Sequence, residues 1–251
     1  MGFVAVDIGN TSVKFTLAES GETFVFPTLA AALKDDRIMT LREGLPGGAG
    51  KSCFGFSATR KLSSQEESAI CKMGWWEFRS DCPVPVEVAY QTPETLGADR
   101  LAAAIGAWAE YPDMAVLIAD LGTALTLDIM DHGVYRGGNI SPGMEMRFEA
   151  LHHYTSRLPK VSLTSNEGFF GTSTETAISQ GVMWGIVNEI IGACSMAKNS
   201  FGCSRLLLTG GDAMLLKDKI DRFMPPEVGL EVKSGLVAQG IMEVYRYNHD
   251  K

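Results

Sequence analysis

The sequence predicts an α/β protein built from two lobes of similar design. Apolar strands alternate with amphipathic helices along the chain, which is typical of this class. One unusual unit occurs twice: an apolar strand, an Asp-x-Gly-[Asn/Thr] turn and a second strand leaving that turn. The first copy spans residues 3–17 and the second spans residues 116–129. This duplication predicts an N-terminal lobe over residues 1–112 and a C-terminal lobe over residues 113–251.

The composition excludes several classes of protein. Of the 251 residues, 45% are hydrophobic and 21% are charged, which is ordinary for a packed globular chain. The net charge of −8 argues against a general basic field for nucleic acid or an acidic membrane. No apolar run approaches a membrane span, and Asp7 interrupts the N-terminus before a signal-peptide core could form. Five cysteines without a C-x-x-C pair indicate reduced thiols, so we expect a cytoplasmic protein. The acidic charge and the lack of a long apolar run predict that it binds neither nucleic acid nor membrane.

Between the two copies the sequence predicts a small set of elements. A capping box that begins at Ser63 predicts a helix through about Met73. Residues 84–88 alternate but contain a proline, which allows an edge strand at best. Pro93 suits an early helical position, and the nearly uniform apolar character of residues 101–108 predicts a buried helix.

Four elements are predicted after the second strand-turn-strand unit. They are a turn at residues 131–133, a long helix over 173–198, a strand over 206–208 and a closing helix over 234–245. In the long helix Gly181 and Gly185 lie one turn apart, where another backbone could approach closely. We therefore expect this helix either to form a dimer interface or to pack its apolar face within its own lobe.

One glycine-rich segment ends like a phosphate loop but fails the spacing test. Gly44 to Ser52 finishes in Gly-Lys-Ser, yet five residues separate Gly44 from Gly50 where a Walker A loop has four. No buried strand precedes the segment. We interpret it as a surface loop.

The two Asp-x-Gly turns are better candidates for phosphate binding. Glycine lets the chain approach a phosphate closely, and successive N–H groups can then point at its oxygens. Thr11 and Thr123 add hydroxyl donors, and Lys14 adds a positive charge. Asp7 and Asp120 end buried strands, where a carboxylate is costly unless it meets a cation or a donor. Either turn alone is more simply a hairpin turn, but two copies with the same lead-in favour a nucleotide site.

Together with the strand-Gly-Gly unit at residues 206–213, these turns resemble the phosphate-1, phosphate-2 and adenosine motifs of the acetate kinase, sugar kinase, Hsp70 and actin superfamily. This resemblance implies two actin/Hsp70-like (ribonuclease H-like) lobes with a cleft between them. Further segments look like type III pantothenate kinase: Tyr90, Pro93 to Ala102, Asp120 to Thr126, Gly137 to Gly143, and Gly171 to Ile178 with Gly181. The tetrapeptide Gly-Ala-Asp-Arg at residues 97–100 is the most specific part of the match.

The family resemblance implies roles for individual residues. The residues implied to line the ATP phosphates are Asp7, Ile8, Gly9, Asn10, Thr11, Ser12, Val13 and Lys14. Those implied to form the pantothenate pocket are Tyr90, Gly97, Ala98, Asp99, Arg100 and Thr174. Thr123 would be a further nucleotide contact, Asp120 would hold a monovalent cation (K⁺ or NH₄⁺), and Asp99 would accept the proton of the substrate hydroxyl. Asp7, Asp99, Asp120 and the triphosphate would crowd negative charge together, which predicts Mg²⁺ with ATP. The family also implies a homodimer.

The residue types suit phosphoryl transfer to an alcohol. Because the transition state is loose, an ordinary carboxylate with a pKa near ~4 can take the proton late. We expect the dipole of the apolar helix to favour the ionised form of Asp99, and Arg100 to bind the carboxylate or amide end of the substrate. The implied reaction is phosphorylation of pantothenate to 4'-phosphopantothenate, the first step of coenzyme A biosynthesis.

Three alternatives stay open at this point. The chain could be a different small-molecule kinase of the superfamily, a non-catalytic nucleotide-binding regulator of the same fold, or an actin-like filament protein. The presence of both Asp99 and Lys14 disfavours a dead site. A length of 251 residues leaves little room for assembly insertions.

Overall fold

A computed structural model describes residues 2–43, 52–164 and 168–250. Its strands are β1 (Phe3–Ile8), β2 (Val13–Leu17), β3 (Thr23–Phe26), β4 (Cys53–Ala58), β5 (Trp76–Glu77), β6 (Glu87–Val88), β7 (Ala115–Leu121), β8 (Ala124–Asp131), β9 (Val134–Pro142), β10 (Arg205–Thr209) and β11 (Gly229–Val232). Its helices are α1 (Leu29–Ala32), α2 (Asp36–Glu43), α3 (Ser64–Met73), α4 (Ala98–Glu110), α5 (Met144–Tyr154), α6 (Thr174–Phe201), α7 (Ala213–Phe223) and α8 (Leu236–His249). The Gly44 to Ser52 loop lies outside the described ranges, apart from Ser52.

The strands form two mixed sheets. The first has the order β3-β2-β1-β4-β5 and the second has the order β11-β10-β7-β8-β9-β6. β1 pairs antiparallel with β2 and parallel with β4. In the same way β7 pairs antiparallel with β8 and parallel with β10. The duplicated sequence unit therefore has the same strand pairing in both copies, and the predicted α/β class is confirmed.

The chain divides into two compact units. Unit 1 comprises Met1–Pro112, Gly133–Tyr135 and Gly235–Lys251, and unit 2 comprises Asp113–His132 and Arg136–Ser234. The sequence boundary near residue 113 assigned the closing helix to the C-terminal lobe, whereas the structure places α8 in unit 1. The physical reason is a backbone contact between α4 and α8: a Cβ on Gly106 would lie 2.3 Å from the Leu236 carbonyl oxygen, and one on Gly240 would lie 1.8 Å from that of Ala102.

The core of unit 1 covers one face of the first sheet. Val4, Val6 and Ile8 alternate along β1 and are all buried there, as the period of a strand requires. Phe54 and Trp75 stack in this core with ring centroids 5.0 Å apart. The opposite face carries the side chains of Ala5 and Asp7, and it is this face that holds the candidate site.

The core of unit 2 lies between its sheet and α6. The apolar face predicted for residues 173–198 is buried against β7 and β8, so it packs within its own unit. Gly185 faces the side chain of Arg147, because a Cβ there would lie 3.3 Å from Nη1. Among the described residues, a Cβ on Gly181 would meet no atom within 4 Å beyond the adjacent backbone of its own helix.

The local signals in the sequence located several elements well. The predicted capping box is present at the start of α3, with the Ser63 hydroxyl accepting from the Glu66 amide. The charge-free stretch at residues 101–108 lies inside α4, and residues 87–88 form the short edge strand β6. The elements without a predicted counterpart are β3, β4, β5, β11, α1, α2, α5 and α7.

Candidate active site

The first Asp-x-Gly turn joins β1 to β2 in unit 1. Gly9 to Ser12 form the turn, and the Gly9 N–H donates to the Ser12 carbonyl at 2.9 Å. In the register of the two strands Asp7 is opposite Lys14. Cross-strand neighbours point to the same face of a sheet, so the lysine shares the face of the Asp7 carboxylate.

The pKa of Asp7 is strongly perturbed. Burial raises its pKa to about 6, although the nearby charge of Lys14 acts in the opposite direction. The charge of Asp99, at the start of α4, raises the pKa of Asp7 further. The structure thus brings together two acids and one lysine that the sequence analysis assigned to two different subsites.

Asp99 lies in the first turn of α4, one residue after the first helical position. A Cβ on Gly97 would lie only 2.6 Å from Oδ1 of Asp99, so any other residue at position 97 would displace this carboxylate. Burial raises the pKa of Asp99, and the amide N–H groups of Arg100 and of Asp99 itself counteract it only in part. The expectation of an ordinary pKa favoured by the helix dipole was therefore wrong, because desolvation outweighs the helix N-terminus here.

The remaining residues of the predicted pantothenate pocket are divided between the two units. Tyr90 is half-buried in unit 1, with its ring centroid 6.0 Å from that of the buried Tyr135. Arg100 is only 6% exposed, so it is not a solvated surface base. Ala98 is the first residue of α4. Thr174 is the first residue of α6 in unit 2 and is exposed.

The other residues of the first turn differ in what they can offer a phosphate. Ile8 and Val13 are fully buried in the core of unit 1, so any contact they make to a ligand comes from their backbones. Asn10 and Thr11 are exposed, and Ser12 is partly exposed. The polar tip of the turn is therefore the part that is available to a ligand.

Two residues near this turn were missed by the sequence analysis. Arg60 donates from Nε to the Gly9 carbonyl at 3.3 Å and from both Nη atoms to the Glu66 carboxylate at 3.0 and 2.6 Å. Ser57 is opposite Asp7 in the parallel register of β1 and β4, and it is fully buried. Its hydroxyl has no hydrogen-bond partner among the residues that the structure describes. The capping box pointed to Glu66, but nothing local in the sequence marks the arginine or the serine.

The second Asp-x-Gly turn joins β7 to β8 in unit 2. The Gly122 N–H donates to the Ala124 carbonyl at 3.1 Å and closes the turn. Asp120 has Thr126 as its cross-strand neighbour in β8 and Thr209 in β10. The carboxylate is therefore flanked in the sheet by two hydroxyl-bearing residues.

Two other loops of unit 2 pack directly against this turn. The Gly143 N–H donates to the Thr123 carbonyl at 3.1 Å, and the Asp212 N–H donates to the Leu121 carbonyl at 3.1 Å. A Cβ on Gly143 would lie 2.3 Å from the Gly122 carbonyl oxygen, and one on Gly210 would lie 2.5 Å from Oδ1 of Asp120. The predicted phosphate-2 and adenosine segments therefore form one compact cluster of loops.

The described part of the chain contains neither a cluster of metal ligands nor a membrane-spanning helix. Within residues 2–43, 52–164 and 168–250, no three His, Cys, Asp or Glu side chains are grouped as a metal site. In the same part of the chain, no helix has the length and apolar character needed to cross a membrane.

Comparison with known proteins gives matches over the whole chain. The family model for type III pantothenate kinase matches residues 3–196. A type III pantothenate kinase of Azobacteroides pseudotrichonymphae is 35% identical over 246 residues, which cover 98% of this chain and 96% of that protein. Another, from Phocaeicola vulgatus, is 36% identical over 253 residues and covers 97% of each chain.

Solved structures support the fold. The crystal structure of a Baf family transcriptional activator from Campylobacter jejuni matches with a TM-score of 0.62 and 22% identity, covering 99% of this chain and all of that one. A 2-dehydro-3-deoxygalactonokinase structure from Sinorhizobium meliloti matches with a TM-score of 0.58 and 13% identity, covering 99% and 100% of the two chains. At these identities the likeness concerns the fold alone, and it agrees with the predicted actin/Hsp70-like class. The match of the family model and the full-length relatives together establish that the chain belongs to the type III pantothenate kinase family.

Proposed function

We propose that this chain transfers the γ-phosphoryl group of ATP to pantothenate and so forms 4'-phosphopantothenate, the first step of coenzyme A biosynthesis. Membership of the family supports this reaction. The structural observation that carries the proposal is a pair of largely desolvated acids in unit 1: burial raises the pKa of both Asp7 and Asp99, and the charge of Asp99 raises that of Asp7 further. Acids with perturbed pKa values are typical of catalytic sites.

The residues around Asp7 suit ATP with Mg²⁺. A buried carboxylate next to a second acid is unfavourable, and Lys14 offsets only part of that cost. A divalent cation carried by the phosphates would supply the missing positive charge and would also neutralise charge on the transferring group. Asp7, the turn from Gly9 to Ser12, Lys14 and Thr123 are the groups proposed to hold the nucleotide.

Asp99 is proposed as the proton acceptor. Its raised pKa makes the carboxylate a stronger base than a free aspartate. In the reaction the hydroxyl oxygen of pantothenate forms a bond to the γ-phosphorus while the bond to the ADP oxygen breaks. The hydroxyl proton goes to an Asp99 carboxylate oxygen, late in a loose transition state. Tyr90, Gly97, Ala98, Arg100 and Thr174 are proposed to bind pantothenate.

Asp120 is proposed to hold a monovalent cation, K⁺ or NH₄⁺. Its neighbours in the sheet, Thr126 and Thr209, contribute hydroxyl oxygens, which are ligands that hard cations accept. The homodimer is proposed from the family resemblance, and the cytoplasmic location is proposed from the cysteine pattern. Sedimentation at micromolar concentration measures the first of these directly.

The reaction is tested by coupled ADP release with a panel of alcohol acceptors that includes pantothenate. We expect Asp99→Asn to lower kcat with pantothenate at least about 100-fold, because a positioned general base contributes that much. Asp36→Asn is the matched control, since Asp36 is an exposed first-turn aspartate of α2 in the same unit. It should leave kcat unchanged, and both variants should keep the circular dichroism of the wild type.

Two outcomes of that assay would contradict the proposal. Wild-type protein that binds ATP but phosphorylates none of the acceptors would be a nucleotide-binding regulator, and faster turnover of another alcohol would make it a different kinase. An arm with sodium in place of potassium and ammonium tests Asp120, because undiminished turnover would remove the role proposed for it.

A further inference from the structure

Arg147 has no role in the site described so far, yet it links three elements of unit 2. Its Nε donates to the Pro142 carbonyl at 2.7 Å, at the end of β9. Its Nη2 donates to the Ser141 hydroxyl at 3.1 Å and to the carboxylate of Glu189 in α6. The backbone N–H of Arg147 also donates to the Gly143 carbonyl at 3.1 Å in the first turn of α5.

The segment that Arg147 holds is the one that contacts the second Asp-x-Gly turn. Gly143 donates its N–H to the Thr123 carbonyl at 3.1 Å. The backbones of Gly143 and Thr123 are too close to admit a methyl group, because a Cβ on Gly143 would lie 2.5 Å from the Thr123 carbonyl oxygen. A displacement of residues 141–143 must therefore displace Gly122 and Thr123 as well.

The surroundings of Arg147 are suited to hold it in one geometry. The side chain is only 19% exposed, so its attraction to Glu189 is less screened than that of a surface pair. The planar guanidinium can bond to a carbonyl, a hydroxyl and a carboxylate at once, which the single ammonium of a lysine does less well. Gly185 leaves space for this group on the facing helix, since a Cβ there would lie 3.3 Å from Nη1.

We propose that Arg147 is a positioning residue of the nucleotide site. Its bonds to Pro142, Ser141 and Glu189 fix the end of β9, and Gly143 in turn fixes Thr123 where it contacts the nucleotide. This inference rests on the proposed function, because it takes Thr123 as a nucleotide contact. Arg147 itself touches no reacting atom and acts only through this segment.

The test compares Arg147→Gln, Arg147→Lys and Glu189→Gln with the wild type in steady-state kinetics and in direct ATP binding by titration calorimetry. We expect Arg147→Gln to raise both the KM and the Kd for ATP about 10-fold, as loss of an outer-shell partner does, with less than about a 2-fold change in the KM for pantothenate. The KM and the Kd of Arg147→Lys for ATP should lie between those of Arg147→Gln and of the wild type, because a lysine keeps the charge but loses the planar guanidinium. Lys198→Gln is the matched control, since Lys198 lies in α6 like Glu189 and forms an exposed pair with Glu227.

The outcomes separate this inference from the proposed function. ATP binding by Arg147→Gln as tight as that of the wild type, or equal rises in the KM for both substrates, would overturn the positioning role. If Arg147→Gln does not fold, the same criteria apply to Arg147→Lys and Glu189→Gln. A different result is possible in which the wild type phosphorylates no alcohol but the variants still bind ATP more weakly than it does. That result would refute the proposed reaction and leave the role of Arg147 standing.

Discussion

The two Asp-x-Gly turns have the same sequence pattern and the same strand pairing, but they differ in the groups beside the aspartate. Asp7 is flanked in its sheet by Lys14 and Ser57, and it also interacts with Asp99. Asp120 is flanked in its sheet by two threonines. A lysine beside one acid and hydroxyl groups beside the other suit different ligands, phosphate in the first case and a cation in the second.

The turns also differ in what holds them in place. The first turn bonds to itself through Gly9 and Ser12, and one side chain, Arg60, bonds to its Gly9 carbonyl. The second turn is packed by the backbones of two neighbouring loops, with glycines at the points of contact. The comparison teaches that a duplicated unit can keep its strand pairing while the turns of its two copies differ in hydrogen bonding and in packing.

The largest difference between the turns is expected for added methyl groups. Gly143→Ala would place a Cβ 2.3 Å from a backbone oxygen, whereas Gly9→Ala would place one 3.1 Å from the Ser12 carbonyl oxygen. We expect the first substitution to lower the free energy of unfolding by about 1–3 kcal/mol and to weaken ATP binding, because backbone must shift. The second should cost less than about 1 kcal/mol. Urea denaturation and the KM for ATP measure both effects.

Gly181→Ala is the control for these two variants. Gly181 is in α6, and a Cβ there would meet no other described part of the chain within 4 Å beyond the adjacent helix backbone. Alanine should therefore raise stability by up to about 1 kcal/mol through helix propensity. If Gly143→Ala is as stable as Gly181→Ala, the second turn is not packed as described.

The next effect concerns the buried charge of the first turn. Burial raises the pKa of Asp7 from 3.8 to about 6, so between these values the native state binds a proton more tightly than the unfolded chain does. Stability should therefore fall as the pH rises through this window and stay reduced above it. Asp7→Asn removes the charge, and at pH 8 without nucleotide we expect it to raise the free energy of unfolding by at most ~3 kcal/mol while turnover is lost.

Asp131→Asn is a contrasting control with the opposite sign. His132 and Arg136 hold the pKa of Asp131 below its usual value, so this group stabilises the native state above the unfolded pKa. Removing the Asp131 charge should lower the free energy of unfolding by less than about 1 kcal/mol, as expected of an ion pair near the surface. Denaturation at pH 5 and pH 8 measures the free energy of unfolding of both variants. If Asp7→Asn and Asp131→Asn change it in the same direction, the distinction between the two acids is removed.

The smallest effect is expected for the side chain that supports the first turn. Arg60→Gln removes the donor to the Gly9 carbonyl and the partner of Glu66, and we expect the KM for ATP to rise about 3-fold. Arg79→Gln, which removes an exposed pair with Asp81 in the same unit, should leave the KM unchanged. Equal kinetics for the two variants would mean that Arg60 contributes nothing to the geometry of the turn.

Much of the fold was predictable because its signals are local. The duplicated strand-turn-strand unit, the capping box at Ser63 and the apolar stretch inside α4 each depend on residues within a few positions of one another. The same holds for the Asp-x-Gly turns and for the tetrapeptide that contains Asp99. Such patterns reflect backbone geometry and side-chain periodicity, and these act over short separations in the chain.

The environment of the site was not predictable in this way, because it is made by residues far apart in sequence. Arg60 meets Gly9 across 51 positions, and Arg147 meets Glu189 across 42. The raised pKa of Asp99 results from burial, which opposed and outweighed the local expectation from the helix N-terminus. Sequence alone was enough to identify the family and to single out the acids and the glycines as candidates. Packing set the charge environment of those acids and the supports of the two turns, since desolvation and long-range contacts exist only once the chain has folded.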